Sequence, residues 1–189
     1  MIPSGIILGF HGCHSDVVKS LVNRETEMRI SGNKLDWLGK GIYFWAHDPR
    51  RALEWAGERP QSADSPGVVG GIIQLGRCLN LTERASIDAI RGAYLDLKHA
   101  RKNANPPQAM PVNRKKARYL DNDVMETLHI IRDNEGLEPY DSIIGYFAEG
   151  APIYRTAGLR HQNHLQICVR NPTNILGWFL PKMDDTIAW

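Results

Sequence analysis

Cysteine is scarce: three residues, Cys13, Cys78 and Cys168, in a chain of 189. An odd, widely spaced set excludes a disulfide framework and lacks the paired spacing of a structural zinc site. Three reduced thiols are the expectation. Cys13 stands two residues from His11 and reads as a small residue packed at a strand end, ahead of a nucleophile. Long apolar runs are also missing. No stretch approaches the roughly 20 apolar residues of a membrane-spanning helix. The run over residues 5–10 is short and follows Met-Ile-Pro-Ser, without a basic lead, so no secretory signal is read there. A cytoplasmic protein is expected. No sign of charge dominates: 23 Lys and Arg against 21 Asp and Glu leave a net charge of +2. Bulk electrostatics therefore selects no partner. His14, His47, His161 and His164 form no convincing ligand set, and no metal is expected.

What is there suits one soluble domain with one core, expected over residues 1–189: 42% of residues are hydrophobic and 23% charged. Residues 6–11 read as a buried strand that ends on His11. Residues 16–23 read as a short amphipathic helix with Val17, Val18, Leu21 and Val22 on one face, capped by Ser15 or Asp16. Ile42-Tyr43-Phe44-Trp45 reads as a compact aromatic strand. Asp48 and Pro49 open a helix that runs to about residue 57. Residues 68–81 read as a long or bent strand, with Gly70-Gly71 allowing a bulge. Helices are expected from an opening at Thr82-Glu83-Arg84 to about residue 102 and from Asp121 or Asp123 to about residue 134, with a Pro-containing loop at 103–113 between them. Strands are expected at residues 142–147, 153–154, 164–170 and 174–179. Strands, then helices, then strands argue for an α+β fold.

Three short stretches carry candidate chemistry. Phe10-His11-Gly12-Cys13 sets a polar ring beside a closely approachable backbone. Gly39-Lys40-Gly41-Ile42-Tyr43-Phe44 brings backbone near a ligand and offers an aromatic face. It lacks the glycine spacing of a phosphate-binding loop. His164-Leu165-Gln166-Ile167-Cys168-Val169 places a polar Gln166 among apolar neighbours in an alternating strand.

In this order and spacing the three stretches resemble the diphtheria-toxin-like branch of the ADP-ribosyltransferases, which includes the poly(ADP-ribose) polymerases and the RNA 2′-phosphotransferases. Residues 8–56 carry most of the likeness, the final third a looser one, and residues 83–136 have no counterpart. A similar His-Gly and Trp-Leu-Gly-x-Gly-Ile-Tyr-Phe-Trp pattern occurs in small bacterial and phage proteins, some of which look like toxins or phage-defence effectors. The resemblance implies an ADP-ribosyltransferase-like fold: two packed, mainly antiparallel sheets, peripheral helices, and here a helical, basic insertion at about 83–136. It implies NAD+ as co-substrate. His11 would donate a hydrogen bond to the adenosine-side ribose. Gly12 would hold the nicotinamide carboxamide by its backbone, with Cys13, Gly41 and Phe44 beside it. Tyr43 would stack on the nicotinamide ring, and Trp55 would be a second aromatic wall. The family's helix serine is missing, because that region reads Pro49-Arg50-Arg51.

The main departure is Gln166, which stands where polymerases carry a glutamate. Its amide oxygen can accept a ribose hydroxyl but cannot carry charge or act as a base. A single transfer is therefore expected rather than polymer synthesis. Glu149, on a turn shortly before that strand, is the candidate base, and a solvated turn residue is the plain alternative. Lys98, Arg101, Lys102, Arg114, Lys115, Lys116 and Arg118 form a basic run without an Asp or Glu among them. Such a run is usually a solvated face. Lying in the part the resemblance leaves uncovered, it favours RNA or DNA over protein as the target. A neutralising antitoxin is a further partner class. Two other functions stay open: a non-catalytic NAD+ or ADP-ribose binding module, suggested by Gln166, and an NAD+-dependent RNA 2′-phosphotransferase.

Overall fold

A computed structural model describes residues 5–114 and 117–183. The elements run β1 (Ile6–His14), α1 (Ser15–Val22), β2 (Ile42–Ala46), α2 (Pro49–Gly57), β3 (Pro66–Gln74), β4 (Cys78–Asn80), α3 (Arg84–Asn103), α4 (Tyr119–Asn134), β5 (Ser142–Phe147), β6 (His164–Val169) and β7 (Ile175–Phe179). The α+β class holds. The two packed sheets do not: the strands form one seven-stranded sheet in the order β4-β5-β6-β2-β1-β3-β7. Five of its joins are antiparallel and β4–β5 is parallel. One sheet results because β2 pairs with β1 on one edge and β6 on the other.

Alternation along β2 sorts the two faces. Ile42, Phe44 and Ala46 enter a core with Ile73, Ile144, Ile167 and Val169. Tyr43 and Trp45 turn to the opposite face. There α2 covers Phe10, Trp45 and Val68 with Ala52, while α3 and α4 cover Leu79, Ile143 and Cys168 with Ala93, Val124, Met125 and Leu128. The segment expected to be an insertion thus roofs the β4–β6 half of the sheet. A gap remains between α2 and the chain entering α4.

Several local expectations shift. β1 runs three residues past His11, because its pairing with β3 continues through His14↔Pro66. The His14 side chain, not Ser15 or Asp16, caps α1 by accepting from Asp16 N–H. Neither Asp121 nor Asp123 caps α4: Asn113 Oδ1 in the preceding loop takes the Leu120 and Asp121 N–H groups at 3.0 and 3.3 Å. Asp48 does cap α2, accepting from Arg51 N–H at 2.9 Å. The register shift in β3 falls at Ile72/Ile73, opposite β7, while Gly70 makes room for the Phe179 ring. Residues 153–154 form no strand. They lie in an irregular loop closed by the Pro152–Arg160 bridge.

Candidate functional site

The sheet splits beside His11. β1 pairs with β3 along its whole length, but with β2 only at Gly9↔Ala46 and Phe10↔Trp45. Past that point His11 Nδ1 meets the Tyr43 carbonyl at 2.7 Å, a side chain standing in for the ladder. A carbonyl only accepts, so the proton sits on Nδ1. Burial lowers the His11 pKa, against the opposing effect of that bond, and keeps the ring neutral. Nε2 therefore presents a lone pair. In that tautomer Nε2 is an acceptor, whereas the resemblance implies a donor at His11.

The split also frees Gly12. Ser15 N–H bonds Ser65 O at 2.8 Å and Leu75 N–H bonds Gly5 O at 3.3 Å, so odd-numbered β1 residues turn their backbone groups toward β3. Gly12 is even, and its N–H and C=O face the opening between β1 and β2. Any side chain at Gly12 would collide with the Ala52 carbonyl of α2. Glycine is thus required by helix packing on one side, while its peptide edge meets the cleft on the other.

A cavity of about 940 Å³ occupies the gap. Its walls include His11, Gly12, Cys13, Gly41, Tyr43, Trp55, Glu149 and Gln166, which brings together eight of the nine residues singled out from the sequence. Phe44 is the exception. It is fully buried on the other face of the sheet, stacked against Trp178 at 5.9 Å between ring centroids, because it alternates with Tyr43. Burial raises the Cys13 thiol to about 11, which suits a packed thiol rather than a nucleophile. Gly41 has no room for a side chain, since a Cβ would strike Cys168 Sγ.

Tyr43 is held at its far end. Its hydroxyl donates to Gly39 O at 2.7 Å and accepts from Leu38 N–H at 3.1 Å, and burial pushes its pKa upward. Trp55 lines the cavity next to His11 and Trp45, at 6.3 and 5.4 Å between centroids, with the Arg59 guanidinium 4.3 Å over its ring. Glu149 is more than a turn residue: its Oε2 accepts from Arg51 Nη2 at 3.2 Å and lies 3.9 Å from His164 Nδ1.

Arg51, Trp45 and His164 were not foreseen. All three are buried cavity residues with unpartnered polar atoms, namely Arg51 Nε and Nη1, Trp45 Nε1 and His164 Nε2, and buried Gln166 Oε1 is a fifth such atom. Native interiors rarely leave such groups unpaired, and clusters of them mark functional sites. Two signals for them stood in the sequence. Arg50 and Arg51 put positive charge in the first turn of α2, against the helix dipole. The period of two places His164 on the same face as Gln166.

The basic run divides. Arg101 is tied to Asp123 at 2.6 Å and to Ala109 O at 2.9 Å, so it clasps α3 to α4 and is withdrawn from a nucleic-acid face. Lys98, Lys102 and Arg114 are exposed. Arg118 lies 4.8 Å over the Trp37 ring, and both line the cavity. Lys115 and Lys116 lie outside the described residues. No helix among the described residues is long and apolar enough to cross a membrane. Comparisons of the chain with protein-family models, with curated proteins and with solved structures find no match.

Proposed function

We propose that the chain is a mono-ADP-ribosyltransferase that binds NAD+ in this cavity and passes ADP-ribose to a macromolecular acceptor, a nucleic acid ahead of a protein. One observation carries the reading: the split between β1 and β2 sets the Gly12 peptide edge, His11 Nε2 and Tyr43 on one cavity with Gln166 and Glu149. The volume, about 940 Å³, is at the upper end of ordinary ligand pockets and has room for a dinucleotide and part of an acceptor.

In this reading Gly12 N–H and C=O hold the nicotinamide carboxamide, and the Tyr43 ring, fixed through its hydroxyl, forms one wall for the pyridinium. His11 Nε2 accepts a hydroxyl of the adenosine-side ribose. Gln166 Oε1, buried and unpartnered, accepts the 2′-hydroxyl of the other ribose. Nicotinamide leaves through an oxocarbenium-like transition state, as in glycoside cleavage. Glu149 supplies the negative charge that Gln166 lacks.

The test incubates the protein with NAD+ labelled in its adenylate part and with crude cell extract. Label should enter material destroyed by nuclease, with nicotinamide released in equal amount. Label in protease-sensitive material would move the acceptor to protein. No incorporation and no nicotinamide would refute the transferase. Tight NAD+ binding would then leave the non-catalytic module that Gln166 suggests.

A further inference from the structure

We propose that a second pocket, between the loop after α3 and residues 33–35, holds one nucleotide of a single-stranded nucleic acid, with the base on Tyr119 and the phosphates on Lys34 and Arg114. The binding rests on the geometry of this pocket. Only the purpose of the bound strand, delivery to the first cavity as acceptor, rests on the NAD+ reading.

The pocket measures about 540 Å³. Met110, Pro111 and Val112 form one wall, and Tyr119, Lys34 and Arg114 complete its mouth. The fold pins the loop at both ends. Gln108 N–H bonds Arg101 O at 2.9 Å, and Arg101 Nη1 donates to Ala109 O at 2.9 Å, which ties the loop to α3. Asn113 ties it to α4: Oδ1 accepts from Leu120 N–H at 3.0 Å, and Nδ2 donates to Asp121 Oδ1 at 2.7 Å. Met110, Pro111 and Val112 span the distance between these anchors. Val112 nevertheless stays 61% exposed, and Tyr119, the first residue of α4, 40% exposed.

Charge and shape together select the ligand. Asp123, the one carboxylate lining the pocket among the described residues, is bound to Arg101 at 2.6 Å. Lys34 and Arg114, both exposed, therefore leave the mouth positive. An acidic peptide would answer the cations but leave the ring and the apolar wall without a partner. A nucleotide answers all three, because its base stacks on an aromatic face while its phosphates meet Lys and Arg. Stacking of this kind takes an unpaired base, so the strand is single.

Position extends the argument from one nucleotide to a strand. Asn33 and Leu35 line the first cavity, while Lys34 between them lines the second. Ala117 and Arg118 likewise line the first, and Tyr119 the second. The two openings thus share a wall made of these two segments. On its other side Arg118 lies 4.8 Å over the Trp37 ring, a second flat face for a base. A polymer that repeats base and phosphate can use both faces, whereas a free nucleotide can use only one.

The test uses the full chain and a dye-labelled thymidine oligonucleotide of about ten nucleotides, alone or annealed to its complement, read by fluorescence anisotropy. The single strand should bind at least about tenfold tighter than the duplex. Tyr119→Ala should weaken it about tenfold, and Tyr119→Phe should not, because the ring stacks and the hydroxyl does not. Lys34→Ala and Arg114→Ala should each lower the slope of log affinity against log salt by about 0.7. Thermal unfolding should be unchanged in every variant. Equal affinity for strand and duplex in the unmodified protein overturns the proposal without any variant. Full binding by a folded Tyr119→Ala chain, or unchanged salt slopes in the two cation variants, also overturns it. Thymidine monophosphate binding as tightly as the oligonucleotide overturns the strand, and polyglutamate binding as tightly overturns the nucleic acid. Strand binding that falls with Tyr119→Ala, in a protein that neither binds NAD+ nor releases nicotinamide, sinks the NAD+ reading and leaves the second pocket standing.

Discussion

Replacing Glu126 by alanine removes the clasp that fixes the loop carrying Tyr43. Glu126 Oε1, on α4, accepts from Lys40 N–H at 2.7 Å and from Arg170 Nη1 at 2.8 Å, and Arg170 Nη1 also donates to Lys40 O at 3.0 Å. One carboxylate thus joins α4, the glycine turn before β2 and the end of β6. The side chains of Glu126 and Arg170 are 20% and 18% exposed, between a surface pair and a buried one. Surface pairs contribute about 0–1 kcal/mol, and hydrogen bonds to charged groups about 1.5–3 kcal/mol. A coupling of about 1–2 kcal/mol follows for this partly screened pair. Burial raises the Glu126 pKa, but the Arg170 hydrogen bond, the Lys40 N–H and the Arg170 charge together bring it below the ordinary value. Its stabilisation is therefore present above the ordinary carboxylate range and lost as pH falls through the lowered folded value. The assay is a double-mutant cycle in urea with Glu126→Ala, Arg170→Ala and both, at pH 7 and again near pH 3. Coupling should appear at pH 7 and shrink in acid. Because Tyr43 hangs from Leu38 and Gly39, Glu126→Ala should also weaken NAD+ binding several-fold, more than it changes turnover of bound NAD+. Coupling below about 0.3 kcal/mol at pH 7 would refute the reasoning, since additivity at that level marks independent sites.

Gly12→Ala pushes a methyl into the Ala52 carbonyl; overpacking of about 1–3 kcal/mol is expected in thermal unfolding, with loss of NAD+ binding by calorimetry. A mild Cβ effect with binding intact would show that α2 yields there. His129 is held neutral, its pKa lowered to about 4 by burial and by Arg170, against the opposing pull of Glu126. The folded chain thus binds fewer protons than the unfolded one between about pH 6.5 and 4, so stability falls as pH falls through that window, by up to about 3 kcal/mol. His129→Gln should flatten the slope of urea midpoint against pH, and an unchanged slope removes His129 as its source. Gln166→Glu, which sets a carboxylate in the cavity where an oxocarbenium-like charge would develop, should raise nicotinamide release from NAD+ several-fold. Unchanged or slower release would argue against Gln166 facing the nicotinamide-side ribose.

Much of the frame was legible because it is local. The cap and punctuation at Asp48-Pro49, the Pro-containing loop before α4 and the strand residues of β5 and β6 are written in neighbouring residues. The site's outline was legible through ordered motifs, with His11, Gly12, Tyr43 and Gln166 all reaching one cavity. What failed depends on distant partners. Phe44 was grouped with Tyr43 by adjacency, although period two sends adjacent residues to opposite faces. Arg101 looked like a free cation until Asp123, 22 residues on, came within 2.6 Å. The α4 cap comes from a loop asparagine that no helix-start pattern contains. One sheet or two depended on whether β2 keeps two pairs with β1, which composition does not encode.

The break between β1 and β2 links these observations. A continuous ladder past Phe10↔Trp45 would consume the Gly12 and Tyr43 backbone groups and close the gap. His11 ends that ladder by taking the Tyr43 carbonyl itself, and Gly12 lets α2 press close enough to bring Arg51 and Trp55 over the opening. The opening then gathers five buried polar atoms without protein partners on Trp45, Arg51, His164 and Gln166. At about 1–3 kcal/mol for each unsatisfied group, their summed cost rivals the whole stability of an ordinary domain, about 5–15 kcal/mol. Phe44, packed on the other face of the sheet, holds the frame, whereas Arg51 and Gln166, each buried with an unpartnered polar atom, line the opening.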